Sequence, residues 1–433
     1  MPPREEVAYF GAGPAPLPTP VLEEASKALL NYNDMGIGIA EISHRSPEAN
    51  KVLADTKEAM VSLLDIPNDY EILFLQGGGS GEFSAVVYHM VGLWVEKRRL
   101  KIEKELQGSI TGGVELDARV LDQLRKELHK DLRLDYLVTG SWSLKASQEA
   151  ARLVGSEYVN VALDARKANE GKFGKIPSED QWQLSPADKS AMVYYCDNET
   201  VDGVEFPSFP SILESPAEGD ERLVVADMSS NFISRRVDVR KYAVIFGGAQ
   251  KNVGNTGITI VILRKSLLPP QSNLASPQIM RSLGLPISPI VFDWPTIAKN
   301  SSLYNTLPIL DIWIAGKVMQ SLNNTYQAQK IQGQEEVSKK KADLLYTVLD
   351  SFPDVYRVVP DKSVRSRMNI CFRVHGANAE REKEFLDGAG KLNLTGLKGH
   401  RSVGGIRISN YNAVPVSAAE RLARYLESYA QQK

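Results

Sequence analysis

Cysteine is scarce in this chain. Only Cys196 and Cys371 occur among 433 residues, each inside an apolar, strand-like run. Two such thiols exclude a disulfide framework and a paired-cysteine metal site, so no metal is expected, and they suit a reducing compartment. No apolar run approaches the roughly eighteen residues needed to cross a bilayer. The opening MPPREEVAYFGAGPAP carries no apolar core of signal-peptide length. The expected location is cytoplasmic, with no membrane contact. Net charge is also small: 51 Lys and Arg against 53 Asp and Glu leave -2. That excludes a general attraction for nucleic acid, so any anion must be bound locally. Histidine is rare too, but two of the five, His44 and His400, directly precede arginine.

What is present reads as two domains, because 433 residues exceed one small core. Residues 7–20 form an extended Gly/Pro-rich arm, and helices are predicted over 21–32 and 49–64. A strand, EILFLQ, then meets the glycine loop GGGSGEF (77–83), which opens an apolar helix ending near Trp94. The charged stretch 97–133 spaces Leu116, Val120, Leu124, Leu128 and Leu132 four apart, which predicts an exposed helical excursion with a narrow packed stripe. Strands are predicted at 135–138, 158–162, 191–196, 223–226, 242–246 and 258–263, with helices between several of them. This rhythm indicates an α/β domain with a mostly parallel sheet covered on both faces. The strand at 258–263 follows its predecessor too closely for a crossover and should run antiparallel. Beyond roughly Gln332, helices at 335–349, near 379–389 and at 417–430, with the strand-like MNICFRV, read as a smaller α+β domain.

The run GGAQKNVG places Lys251 in a glycine-flanked turn just past the strand at 242–246. Asp227 ends an earlier strand within VVADMSS. A lysine held in a stiff turn can form a Schiff base with an aldehyde cofactor, and a carboxylate can keep that cofactor's ring nitrogen protonated. Pyridoxal phosphate needs both. Taken alone, the two residues read more simply as a surface lysine and a turn former. GGGSGEF offers bare N–H groups at a helix start, which suits a phosphate or is a simple turn. It is neither a Walker A loop nor a dinucleotide fingerprint. Trp142, directly after a strand, either caps the core or lies flat on a planar ring. Thr200 either bonds a phenolic oxygen or shapes a turn. Gly79, Trp142, Thr200, Asp227 and Lys251 all fall at strand carboxyl ends, where open α/β sheets gather ligands. The clusters around His44 and Arg45 and around Lys398, His400, Arg401 and Arg407 suggest a doubly anionic small substrate, or else solvent-facing charge.

These motifs together resemble the phosphoserine aminotransferase family, fold-type I, class V pyridoxal phosphate enzymes. The resemblance runs over GPAPLP, EISHRS, LFLQGGGSGEF, CDNETVDG, ADMSS, GGAQKNVGNTGITIVI, SLYNTLP, RSRMN and KGHRSVGGIR, nearly the whole chain. It implies a large domain at 19–332 with a mostly parallel, mixed seven-stranded sheet between helices, and a small domain from 1–18 and 333–433. It implies pyridoxal 5'-phosphate as cofactor. Lys251 would be the Schiff-base lysine that also moves the substrate proton. Asp227 would pair with the ring nitrogen, Trp142 would stack on the ring, and Thr200 would bond its phenolic oxygen. Gly79, Ser80 and Gln250 would hold the phosphate, with Asn305 and Thr306 of a neighbouring subunit. Arg407 would clamp the substrate carboxylate. His400 and Arg401, with His44 and Arg45 across a homodimer, would hold the substrate phosphate. Departures are Ser80, where some relatives carry arginine, Ala12, which lacks a hydroxyl, and the long stretch 97–133.

The implied reaction is ping-pong transamination between glutamate and 3-phosphohydroxypyruvate, giving O-phosphoserine and 2-oxoglutarate in serine biosynthesis. Alanine–glyoxylate aminotransferase is the alternative within class V. It does not need the His-Arg pairs. A cysteine desulfurase would need a mobile, exposed cysteine, whereas Cys371 lies in a strand-like run. A non-catalytic dimer that keeps the fold would show no glutamate-dependent bleaching of a cofactor.

Overall fold

Apolar strands bounded by glycine turns build the centre of the molecule, which the computed structural model describes over residues 2–106, 118–214 and 221–432. The chain enters through β1 (Ala8–Tyr9), α1 (Thr19–Ala28) and α2 (Pro47–Leu64). Both helices carry proline in the first turn, where its missing N–H costs nothing, and Ser46 caps α2 by accepting from Ala49 N at 3.1 Å. β2 (Tyr70–Leu75) passes through Gly77 and Gly78, at φ 113° and 63°, into α3 (Gly78–Leu106). Then follow α4 (Ala118–Asp131), β3 (Arg133–Val138), α5 (Ser141–Val154) and β4 (Val159–Asp164). β5 (Ser190–Cys196), β6 (Val224–Asp227), β7 (Val244–Gly248) and β8 (Thr259–Arg264) complete the central strands. Short α6 (Pro277–Ser282) and α7 (Trp294–Lys299) precede long α8 (Ile309–Tyr326) and α9 (Ile331–Ser351). The last stretch holds β9 (Tyr356–Val358), β10 (Asn369–Val374), α10 (Ala379–Lys391), β11 (Leu394–Thr395), β12 (Ile406–Ser409) and α11 (Val416–Gln431).

Seven strands form one sheet in the order β2-β8-β7-β6-β5-β3-β4. The pairs from β7 to β4 are parallel, and β8 is antiparallel to both neighbours, as its short connection to β7 requires. Alternate side chains go to opposite cores. Tyr136, Tyr194, Val225 and Phe246 pack with α3, α4 and α5, whereas Leu137, Tyr195, Ala226 and Ile245 pack with α2 and α8. Helical crossovers are fewer than the sequence rhythm predicts: β4–β5 and β6–β7 are joined through 3-10 turns alone. The paired helices α2 and α8, pinned by a Thr56 Oγ1 to Ile312 O bond of 3.1 Å, already cover that face.

One expectation is corrected in the charged stretch. The helix after the glycine turn does not end near Trp94. It runs unbroken to Leu106, because Glu96, Arg99 and Glu103 pair along successive turns and Ile102 is buried. The rest of the charged stretch follows expectation where it is described: α4 is exposed along most of its length and buries one narrow stripe. Val120, Leu124, Leu128 and Leu132 are each at most 1% exposed and join the core of α3 and β3. Arg98 donates to Asp188 O at 2.9 Å and Arg125 to Ser282 O at 3.0 Å, which docks the hairpin on the body. Leu116 of the predicted stripe lies outside the described residues.

A separate core gathers Phe10, Leu345, Tyr356, Phe372, Phe385, Ile408 and Leu422. It closes around the sheet β12-β10-β9 and the parallel pair β1-β11, which ties the start of the chain to its last hundred residues.

Candidate active site

The carboxyl ends of β3, β5, β6 and β7 open beside the start of α3, and a cavity of about 390 Å³ lies there. The strand order reverses between β3 and β5, the place where open sheets leave a crevice. Gly79, Ser80, Trp142, Thr200, Asp227, Gln250, Lys251, His400 and Arg407 all line this cavity. The sequence left open whether each was structural or functional. Their convergence on one cavity favours function.

Lys251 follows β7 in a turn that packs under the entry arm. A Cβ on Gly13, which sits at φ 127°, would stand 3.4 Å from Lys251 Cγ. Lys251 Nζ donates to Thr200 Oγ1 at 2.8 Å. Burial pushes its pKa down to about 8, and Arg407 adds to the shift, against the pull of Asp227, Cys196 and Glu199. Asp227 is the last residue of β6, in register with Cys196 and Phe246. Its Oδ1 accepts from Ser229 N at 2.8 Å and Ser229 Oγ at 2.6 Å, and its Oδ2 lies 4.0 Å from Cys196 Sγ. Burial raises its pKa, while the Ser229 bonds and Lys251 oppose the rise. An acid and an amine thus face one another, each brought nearer neutrality by desolvation.

The glycine turn supplies the anion side. A Cβ on Gly78 would meet nothing within 4 Å, and one on Gly79 would stand 3.8 Å from Ser229 Oγ and 4.0 Å from Asp227 Oδ2. This is open room in front of the first turn of a 29-residue helix, where N–H groups and the helix dipole favour negative charge.

The opposite wall is cationic. Arg407, on β12, donates to Thr200 O at 3.1 Å. His400 Nδ1 lies 2.7 Å from Ser402 Oγ and accepts from Ser402 N at 3.3 Å, which puts the proton of a neutral ring on Nε2. Burial, then the charges of Arg407, Lys145 and Arg401, hold His400 below the usual imidazole range. Lys145 sits with Nζ 4.2 Å from the Trp142 ring centroid.

Other expected residues stand elsewhere in this chain. His44, Arg45, Asn305, Thr306 and Arg401 do not line the cavity. His44 and Arg45 precede the cap of α2, and His44 Nε2 is buried without a partner. Asn305 Nδ2 donates to Gln76 Oε1 at 2.8 Å, next to the glycine turn. Arg401 is exposed beside His400. Sequence reasoning missed Ser229, Glu199, Asp202 and Lys145. All lie within one to three residues of positions it did name, and that adjacency was the available signal.

The chain has known relatives. Residues 7–104 and 110–422 match the family Aminotransferase class-V. A phosphoserine aminotransferase of Saccharomyces cerevisiae is 42% identical over 430 residues, covering 99% of this chain and 98% of the relative. The chain belongs to the class-V aminotransferase family. The class-V match is also structural. A phosphoserine aminotransferase from Bacillus circulans subsp. alkalophilus superposes with a TM-score of 0.78 at 31% identity, over 99% of each chain. One from Trichomonas vaginalis, solved with PLP bound, gives 0.77 at 30% identity, over 97% of this chain and 99% of that one. Among the described residues no group of His, Cys, Asp and Glu could hold a metal ion, and no helix is long and apolar enough to cross a membrane.

Proposed function

We propose that this class-V aminotransferase is a phosphoserine aminotransferase. It passes the amino group of glutamate to 3-phosphohydroxypyruvate, giving O-phosphoserine and 2-oxoglutarate, a step of serine biosynthesis, with pyridoxal 5'-phosphate as cofactor. The observation that carries the reading is Lys251 on Thr200 at 2.8 Å, opposite buried Asp227, inside one cavity that also holds Trp142, His400 and Arg407. Full-length relatives of that name support it.

The residues present fit the cofactor. Gly79, Ser80 and Gln250 line the cavity at the open helix start, where they would hold its phosphate. Asp227 keeps Oδ2 clear of the Ser229 bonds, where it would hold the proton on the ring nitrogen. Trp142 would cover the ring, Thr200 would bond its phenolic oxygen, and Lys251 would be the covalent anchor. When bound, the group supplies an electron sink for the pair left as the substrate carbon loses its proton.

The chain's own residues do the rest. Lys251, with an amine pKa near 8, takes the proton from the amino acid's Cα and returns one in the reverse half-reaction. Arg407 spends one nitrogen on Thr200 O and keeps the rest of its fork for the substrate carboxylate. His400 donates from Nε2 to the distal anion, with Arg401 beside it.

Three further parts of the reading concern assembly. The chain divides into a large domain at 19–332 and a small domain from 1–18 with 333–433. The separate core around Phe10 and Phe372 supports that division. The enzyme is a homodimer with shared sites, in which Asn305 and Thr306 reach the partner's cofactor phosphate, and His44 and Arg45 the partner's substrate. Exposed Leu30, Met35, Ile37, Ile287, Ile290 and Val291 support an interface, with Leu30 81% exposed. It works in the cytoplasm.

The test compares 3-phosphohydroxypyruvate with plain hydroxypyruvate as acceptor of the amino group from glutamate. The reading expects at least a hundredfold higher kcat/KM for the phosphorylated acid. Equal values would move the chain to a general class-V activity.

A further inference from the structure

The turn after β5 carries two acids that the reaction above does not use. Glu199 is fully buried and Asp202 is 7% exposed. Both carboxylates point at the start of α5. Glu199 Oε2 accepts from Trp142 N at 2.9 Å and Oε1 from Ser143 N at 2.9 Å, while Asp202 Oδ2 accepts from Ser141 N at 2.7 Å. Ser143 Oγ takes the two preceding donors, Thr139 N at 3.0 Å and Gly140 N at 3.2 Å. Every amide from 139 to 143 is thus paired, three of them with carboxylates at a helix N-terminus, where negative charge is favoured. The approach is so close that a Cβ on Gly140 would lie 2.4 Å from Glu199 Cγ.

The same turn reaches the reacting groups. It is closed by Glu199 N to Val204 O at 2.7 Å and Gly203 N to Glu199 O at 2.9 Å. Between those bonds lies Thr200, whose hydroxyl accepts from Lys251 Nζ at 2.8 Å and whose carbonyl accepts from Arg407 at 3.1 Å. One rigid turn therefore touches the backbone of Trp142, the amine of Lys251 and the guanidinium of Arg407. An ordinary cap needs one side chain. Placing two acids side by side out of water is costly, and burial first, then Asp202, pushes the Glu199 carboxyl up to about 7; the three amides they hold offset that cost.

We infer that Glu199 is a positioning residue, seconded by Asp202: by holding the amides of 141–143 it sets Trp142 against Lys251 and Arg407 through the turn they share. The role of Trp142 in this inference rests on the cofactor reading above. The geometric part does not.

The test is Glu199→Gln in the full-length enzyme. A carboxamide offers one acceptor and turns its NH2 on the other amide, so one of the two N–H groups loses its partner. Two readouts avoid turnover. Hydrogen exchange of the peptide spanning 139–146, measured without cofactor, should quicken at least tenfold. The visible circular dichroism of the bound cofactor, which reports how the ring is held, should fall below half. kcat should drop ten- to a hundredfold, with KM for glutamate changed less than threefold. Asp202→Ala is the second variant, for the case that the first does not fold, and should move all three in the same direction by about threefold. Wild-type dichroism and kcat in either folded variant overturn the inference, even where exchange quickens, because the acids would then be a structural cap alone. A parent enzyme with no visible cofactor band fails the cofactor reading instead, and the exchange result still decides whether the acids hold the helix start.

Discussion

Lys145 shows how much a single residue's place matters at this site. It is one turn along α5 from Trp142, on the same helix face, and its ammonium rests over the indole at 4.2 Å. It also lies close enough to His400 to lower that imidazole's pKa. No acid pairs with Lys145, Arg401 or Arg407 within salt-bridge distance among the described residues. Lys145, Arg401 and Arg407 thus gather positive charge around His400, offset in part by Asp202 near Arg407, and a second anion on the substrate would meet that charge. Lys145→Ala is expected to raise KM for the phosphorylated acceptor about tenfold, equivalent to about 1.4 kcal/mol, and to leave plain hydroxypyruvate unchanged. Steady-state kinetics at low salt, compared with high salt, checks this, because the difference should shrink as charge is screened. Removing one cation should also raise the pKa of His400, which NMR of the imidazole would report.

At the scale of elements, the docked hairpin of α3 and α4 makes a separate prediction. Leu124 is fully buried in the core shared with β3, far in sequence from any proposed site residue. Leu124→Ala is expected to cost about 2–5 kcal/mol of stability. It should lower Tm while leaving KM for both substrates within twofold, as thermal melting and kinetics would show. The elements that the sequence revealed best were those with one strong period. The strands at 191–196 and 258–263, the antiparallel turn of the latter, and the helix at 417–430 all correspond to observed elements. Less legible was the length of α3. Its charged second half reads as solvated on composition, and only the pairing of Glu96, Arg99 and Glu103 along one face shows that the helix continues. The missing crossover helices were equally hidden, because nothing local in 164–190 says that α2 and α8 already cover the face. The site was readable wherever a reactive residue closes a strand, as with Asp227. It was not readable at Glu199, whose carboxylate acts on amides 56 and 57 residues away in the chain.

The whole molecule raises the question of sharing. His44, Arg45, Asn305 and Thr306 do not line the cavity of their own chain, so the proposed reading gives them to a second copy. Mixing inactive Lys251→Ala chains with inactive Arg45→Ala chains should restore activity in the hybrids. With random pairing, half the dimers are hybrid and each holds one intact site, which gives about a quarter of the parent activity. Activity that stays at the level of the separate variants would place both residues in one chain's site. The account rests most heavily on the covalent anchor at Lys251. The direct measurement is to load the protein with pyridoxal 5'-phosphate, reduce it with borohydride, digest it and weigh the peptides. The account predicts one added phosphopyridoxyl group, on the peptide carrying Lys251 and on that residue alone. An unmodified Lys251 peptide, with the label absent or on another lysine, would contradict it.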